Sequence, residues 1–145
     1  MRAKQSSILA RSKDAENRVQ RYLWPGTSRC WKELWDVGSQ DSEGRWLYVG
    51  EVKSKKLRTM TEALPILHRA LCQLMKVAPL GAFCFAVLVS PGTRIENALV
   101  MWSERWLCHS PAERWVHIPV VTPLGAFYRL IYGDPAAEEP PDAES

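Results

Sequence analysis

Residues Ala82 to Val89 read AFCFAVLV, eight apolar residues in a row, bounded by Pro79-Leu80-Gly81 and by Pro91-Gly92. No apolar run in the chain is longer, and eight residues fall far short of a membrane span. A short run of this kind suits a central strand covered on both faces. Immediately before it, residues 59–77 read as a helix. Leu67, Ala70, Leu71, Leu74, Met75 and Ala78 form one apolar stripe, with His68, Arg69, Gln73 and Lys76 off it. Thr59-x-x-Glu62 has the form of a capping box, and Pro65 is tolerable only near the helix start. A helix joining two strands is a crossover, so the buried strand is expected to run parallel to a strand of whatever precedes the helix. The chain is thereby confined to an α/β fold, a mixed central sheet flanked by helices.

What precedes that helix is a hairpin. Trp35 to Ser39 and Trp46 to Lys55 flank a polar, Gly-containing break. A two-residue turn at Glu43-Gly44 puts Asp36 seven residues before the turn and Glu51 seven after it. In that register Asp36 and Glu51 face each other across the two strands, and Lys53, two residues on, shares their face. Two facing carboxylates repel unless a cation lies between them, and a divalent metal ion would remove that cost.

Upstream, a helix is expected from Ser12, with Ser12 as N-cap and Asp14 in the first turn. Ala15, Val19, Tyr22 and Leu23 follow helical spacing, Glu16 borders their stripe, and Pro25-Gly26 ends the run. Residues 1–11, with Arg2, Lys4 and Arg11, read either as a basic arm or as an early helical turn.

The 145 residues make one domain over 1–133, followed by an acidic tail, 134–145, expected to be disordered. That tail holds five acids and no base, so without it the 19 basic and 11 acidic residues of the body leave a net charge of +8. Most of the excess lies in residues 1–58, which hold 13 basic and 7 acidic residues. A basic body points to a polyanionic partner or to a merely basic surface. Cys30, Cys72, Cys84 and Cys108 lack zinc-ligand spacing and are expected to be reduced thiols. Together with a polar N-terminus they imply a cytoplasmic protein, or one of the host cell cytoplasm if the chain is viral. No phosphate-binding Gly-rich loop is evident, which argues against nucleotide hydrolysis.

Asp36, fourteen residues, then Glu51-Val52-Lys53 resembles the signature of the PD-(D/E)XK nuclease superfamily, and within it the Holliday junction resolvase-like nucleases. The resemblance extends from about Ser12 to Ser90. It implies a restriction endonuclease-like core of helix, hairpin, helix and buried strand, the order read above. It implies Mg²⁺, with Mn²⁺ able to substitute, held by Asp36, Glu51 and the Val52 carbonyl with Glu16 from the first helix, and Lys53 orienting or activating the attacking water. Oxygen ligands suit those metals. Trp35 stands where the family loosely keeps a proline. The segment where some resolvases use a serine holds Arg29 and Lys32. With Lys13 and the cluster Lys55, Lys56 and Arg58, these are the candidate DNA contacts. Gln73 occupies the place of a polar residue that related nucleases use near the site, though an exposed helix glutamine is the preferred reading.

The expectation is a Mg²⁺-dependent endonuclease, a homodimer resolving four-way or other branched DNA. A restriction- or repair-type endonuclease with the same site is the alternative, and a catalytically silent nucleic-acid-binding module is another. Past Ser90 the pattern is less definite. Ile95, Ala98, Leu99, Trp102 and Trp106 fit a helix, though Leu99 to Trp102 fits a strand; Trp115 to Val121 reads as a strand, and Leu124 to Tyr132 as either. Trp102, Trp106, Trp115, Phe127 and Tyr128 supply a core, a dimer face or a surface that stacks on bases.

Overall fold

The computed structural model describes residues 2–28, 32–103 and 119–133, with backbone only at 2–12, 103 and 119. Helix α1 (Arg2–Leu23) leads into a hairpin of β1 (Val37–Gln40) and β2 (Trp46–Ser54), and α2 (Met60–Val77) crosses to β3 (Phe83–Val89). After a 3-10 turn at Ile95–Asn97 come β4 (Leu99–Ser103), β5 (Pro119–Pro123) and α3 (Leu124–Tyr132). The strands form one sheet in the order β1-β2-β3-β4-β5. β2 and β3 run parallel, from Tyr48 opposite Phe83 to Ser54 opposite Val89, and the other neighbours are antiparallel. This is the mixed sheet flanked by helices that the pattern required, with the crossover helix producing the parallel pair.

β3 is apolar throughout because both its faces are covered. Phe85, Val87 and Val89 meet Ala15, Val19 and Leu23 of α1 and Leu124 and Phe127 of α3. Cys84, Ala86 and Leu88 meet Ala63, Leu67, Ala70, Leu71, Leu74 and Met75 of α2. The α1–α3 side is aromatic at its centre, where Phe127 lies 4.8 Å from Phe85 and 5.3 Å from Trp102, centroid to centroid.

Two local expectations need correction, and one alternative left open is decided. Helix α1 begins at Arg2, not at Ser12. Residues 2–11 contain neither Gly nor Pro, so nothing there interrupts a helix, and Ser12 lies inside it. At the start of α2, Thr59 makes no side-chain cap bond; Glu62 instead accepts the Arg58 N–H at 2.8 Å, one residue earlier than a capping box requires. Past β3 the helical spacing from Ile95 is real for a single turn only. Ala98 is already extended, and Leu99–Ser103 becomes β4, which supplies the partner that β3 needs on its far side.

The sequence Pro-Leu-Gly-Ala-Phe occurs twice with two structures. At 79–83 it is a turn, with Gly81 at φ +88°, that runs into β3; at 123–127 Pro123 caps α3 and the other four residues are helical. The second copy is tied by its Leu124 N–H to the Ala98 carbonyl at 2.7 Å, and its Leu124 and Phe127 are fully buried. Tertiary contacts, not the five residues, choose the conformation.

Trp102 and Phe127 are core residues, which removes them from an exposed dimer face or base-stacking surface; Tyr128 lies half-buried against Tyr22. Trp106, Trp115 and the tail 134–145 fall outside the described residues, as do Cys30 and Cys108, while Cys72 is half-buried and Cys84 buried. No helix among the described residues is long and apolar enough to cross a membrane.

Candidate active site

The hairpin reaches the expected register by an unexpected route. Its turn is Ser42-Glu43-Gly44, closed by the Asp41 N–H to the Arg45 carbonyl at 2.8 Å, with Gly44 at φ +83°. The Asp41 carboxylate accepts the Glu43 and Arg45 N–H groups and is held below the usual carboxylate range by those bonds and by the Arg45 guanidinium. A three-residue turn displaces the pairing by one residue, giving Gln40 opposite Trp46. Leu47 then bulges, and Ser39 pairs with Tyr48, Gly38 with Val49 and Val37 with Gly50, the pairing that a turn centred on Glu43-Gly44 predicts.

At Asp36 the regular ladder stops. Its N–H donates to the Gly50 carbonyl at 3.0 Å, and its Oδ2 accepts the Val52 N–H at 2.9 Å. Trp35 packs on the α2 side of the sheet while Val37 packs on the α1 side, although residues two apart in a regular strand share a face. Asp36 is therefore a local irregularity, and its carboxylate takes over an acceptor position that a backbone carbonyl would fill. A residue's N–H and C=O point to the same side of a strand, so the Val52 carbonyl is also directed toward Asp36.

Glu51 is two residues past Val49, which packs on the α2 side, and next to Val52, which packs on the α1 side, so it projects on the α2 side with Lys53, as expected. The Lys53 Nζ lies 3.6 Å from Glu51 Oε2. Glu51 titrates near 7, well above 4.5: burial is the largest cause, the Asp36 charge adds to it, and a hydrogen bond between the two carboxyls adds further, all outweighing the pull of Lys53. Burial of Glu51 and its nearness to Asp36 thus outweigh the attraction of Lys53.

Glu16 is half-buried on α1. Ala15 packs with Val52 and Val89 at the ends of their strands, and Trp24 packs on Tyr48 near the start of β2, so α1 runs antiparallel to β2 and alongside β1. Gln20 meets Gly38. One helical turn back, about 6 Å, is Glu16; two strand residues back, about 6.6 Å, is Asp36. Glu16 and Asp36 are thus at about the same level along α1 and β1, while Glu51 projects from the α2 side. Among the described residues no group of three or more His, Cys, Asp or Glu side chains converges on one point.

Lys55, Lys56 and Arg58 are exposed at the exit of β2, where the Lys55 N–H donates to the Val89 carbonyl and Ser90 Oγ to the Lys55 carbonyl. Arg58 is partly engaged with Glu62 at 3.8 Å. Lys13, Lys32 and Gln73 are exposed, and Arg29 falls outside the described residues. No family model, curated protein or solved structure matches the chain. One residue at this site escaped the sequence reading: Gln20, buried beside the strand that carries Asp36. Its signal was faint, a polar residue one turn after Glu16 and flanked by the core positions Val19 and Leu23.

Proposed function

We propose that this chain is a metal-dependent DNA endonuclease, acting as a homodimer on four-way or related branched DNA. The observation that carries the reading is the Asp36–Glu51 pair: two neighbouring carboxyls, Glu51 held near 7, Lys53 Nζ 3.6 Å from Glu51, and exposed Lys55, Lys56 and Arg58 where the chain leaves β2. Two neighbouring carboxylates are oxygen ligands that suit a hard divalent cation, Mg²⁺ or Mn²⁺. Asp36, Glu51 and the Val52 carbonyl would hold it, with Glu16 adjacent. Two carboxylates fit the habit of Mg²⁺, which keeps several positions for water and for phosphate oxygens. When bound, such an ion neutralises charge on a phosphodiester and acidifies water.

The rest of the chemistry belongs to the side chains. Lys53 orients the attacking water and offsets negative charge as the phosphorus gains its fifth oxygen. Lys55, Lys56 and Arg58 hold the phosphodiester backbone, with Lys13, Arg29 and Lys32 as further contacts. A domain of 145 residues carries one such site, so symmetric cleavage of a junction's paired strands requires two copies, most simply related by a two-fold axis.

Cleavage of four-way junction, flap, duplex and single strand under matched conditions tests the reading. Asp36→Asn and Glu51→Gln are each expected to abolish Mg²⁺-dependent cleavage and leave DNA binding nearly intact. Wild-type rates in either variant would sink the proposed site. A catalytically silent module would bind no Mn²⁺ at these residues. A monomer on the junction that makes single, uncoordinated nicks would refute the resolvase form and favour a general nicking or repair-type enzyme.

A further inference from the structure

Gln20 is only 1% exposed, a polar side chain in an apolar layer. Its carboxamide oxygen accepts the Gly38 N–H at 3.0 Å, and its nitrogen donates to the Gly38 carbonyl at 3.0 Å and to Thr27 Oγ1 at 2.7 Å. The Thr27 hydroxyl gives its own proton to the Trp24 carbonyl at 2.6 Å, just past the end of α1, so it can only accept from Gln20, and the amide orientation is settled.

β1 is an edge strand, and at Gly38 its N–H and C=O face away from β2. A carboxamide carries a donor and an acceptor side by side, so it pairs with that bare edge as a residue of a neighbouring strand would. The strand has no freedom on its other side. A Cβ at Gly38 would lie 2.7 Å from Trp46 Cζ3, and Trp46 packs edge-on against Trp35 at 5.2 Å, the residue before Asp36. The strand is thus fixed between the amide of α1 and a pair of indoles, two residues from a carboxylate that has left the ladder.

We propose that Gln20 is a positioning residue for Asp36: by clamping both backbone groups of Gly38 to α1, it holds β1 where the Asp36 carboxylate meets the Val52 N–H beside Glu51. Its consequence for metal binding rests on the nuclease reading; the positional claim does not.

Two measurements on the full chain test it: hydrogen exchange at the Val52 amide, and Mn²⁺ affinity. Gln20→Met keeps length and volume and removes both polar groups. It is expected to speed Val52 exchange by about tenfold relative to β3 amides such as Val87, and to weaken Mn²⁺ binding about 10- to 100-fold, the usual loss when a partner behind a metal ligand is removed. Unchanged values in this variant would overturn the proposal, as would exchange that rises equally in β1–β2 and β3, since that marks loss of overall stability alone. Should Gln20→Met fail to fold, Gln20→Glu, of the same shape but repelling the Gly38 carbonyl, decides by the same two measurements. Thr27→Val, which removes only the hydroxyl that orients the amide, must show the same local loss to a smaller extent, and an unchanged Val52 rate there counts against the proposal. An absence of Mn²⁺ binding in the wild type would remove the nuclease reading and leave the exchange result standing.

Discussion

Glu51→Gln isolates the cost of crowding two carboxylates. In the metal-free protein Glu51 titrates near 7, against 4.5 in the unfolded chain. The folded state therefore holds this proton more tightly, and between those two pH values it binds more protons than the unfolded state. Raising the pH across that window removes stability: the contribution is fully present below 4.5 and lost above about 7. At about 1.36 kcal/mol per pH unit the gap sets a ceiling of about 3 kcal/mol. Water reaches part of the side chain, 22% exposed, and screening brings the expectation to about 2 kcal/mol. Urea unfolding at a series of pH values between 4.5 and 8 with EDTA present, wild type beside Glu51→Gln, reads it directly. The wild type should lose about 2 kcal/mol more than the variant over the window. Mn²⁺ added at the alkaline end should restore the wild type alone, because the variant lacks the second carboxylate. Parallel pH slopes in the two proteins would refute the crowding and, with it, the electrostatic case for a cation site.

Neutralising Lys55, Lys56 and Arg58 together should lower the slope of log affinity for DNA against log salt by about 2 to 3, at about 0.9 per phosphate contact; Arg58 contributes least because Glu62 already engages it. An unchanged slope would place DNA elsewhere. Gly50→Ala would set a Cβ 2.5 Å from Phe85 Cζ and 2.9 Å from Val37 Cγ2, and Phe85 is itself packed on Phe127. Overpacking of that kind should cost about 1–3 kcal/mol, visible as a lower Tm, and an unaltered Tm would contradict the close approach of β2 to the aromatic layer.

How far the fold could be read in advance depended on how far each segment carries its own reason. Ala82 to Val89 suits a strand covered twice, and the stripe from Leu67 to Ala78 suits a helix packed on it, so the parallel pair followed. The C-terminal third carries no such compulsion. Leu99 to Ser103 becomes β4 because β3 has an open side, and Pro-Leu-Gly-Ala-Phe is a turn into a strand at 79–83 and the start of a helix at 123–127 because different neighbours bury it. Gln20 was missed for a related reason. A glutamine beside a helical stripe usually faces water, and only the unpaired edge of β1, which no helical periodicity announces, gives it a buried partner.

The carboxylate pair shows how a right register can rest on incomplete reasons. Counting from Glu43-Gly44 set Asp36 opposite Glu51, yet the turn is three residues long and Leu47 absorbs the difference. A regular cross-strand pair would then hold both carboxylates on one face, with about 4.5–5.5 Å between Cβ atoms and no reach toward the backbone. Asp36 instead breaks the ladder. Its Oδ2 meets the Val52 N–H at 2.9 Å, while Glu51 comes from the α2 side and stays near enough for the Asp36 charge to raise it. The irregularity turns the Asp36 carboxylate toward the Val52 backbone, which a regular cross-strand pair would leave out of its reach. It also explains why the residues that hold β1 matter beyond packing: once Asp36 leaves the ladder, the ladder no longer fixes it, and the clamp at Gly38 and the indoles of Trp35 and Trp46 remain to do so.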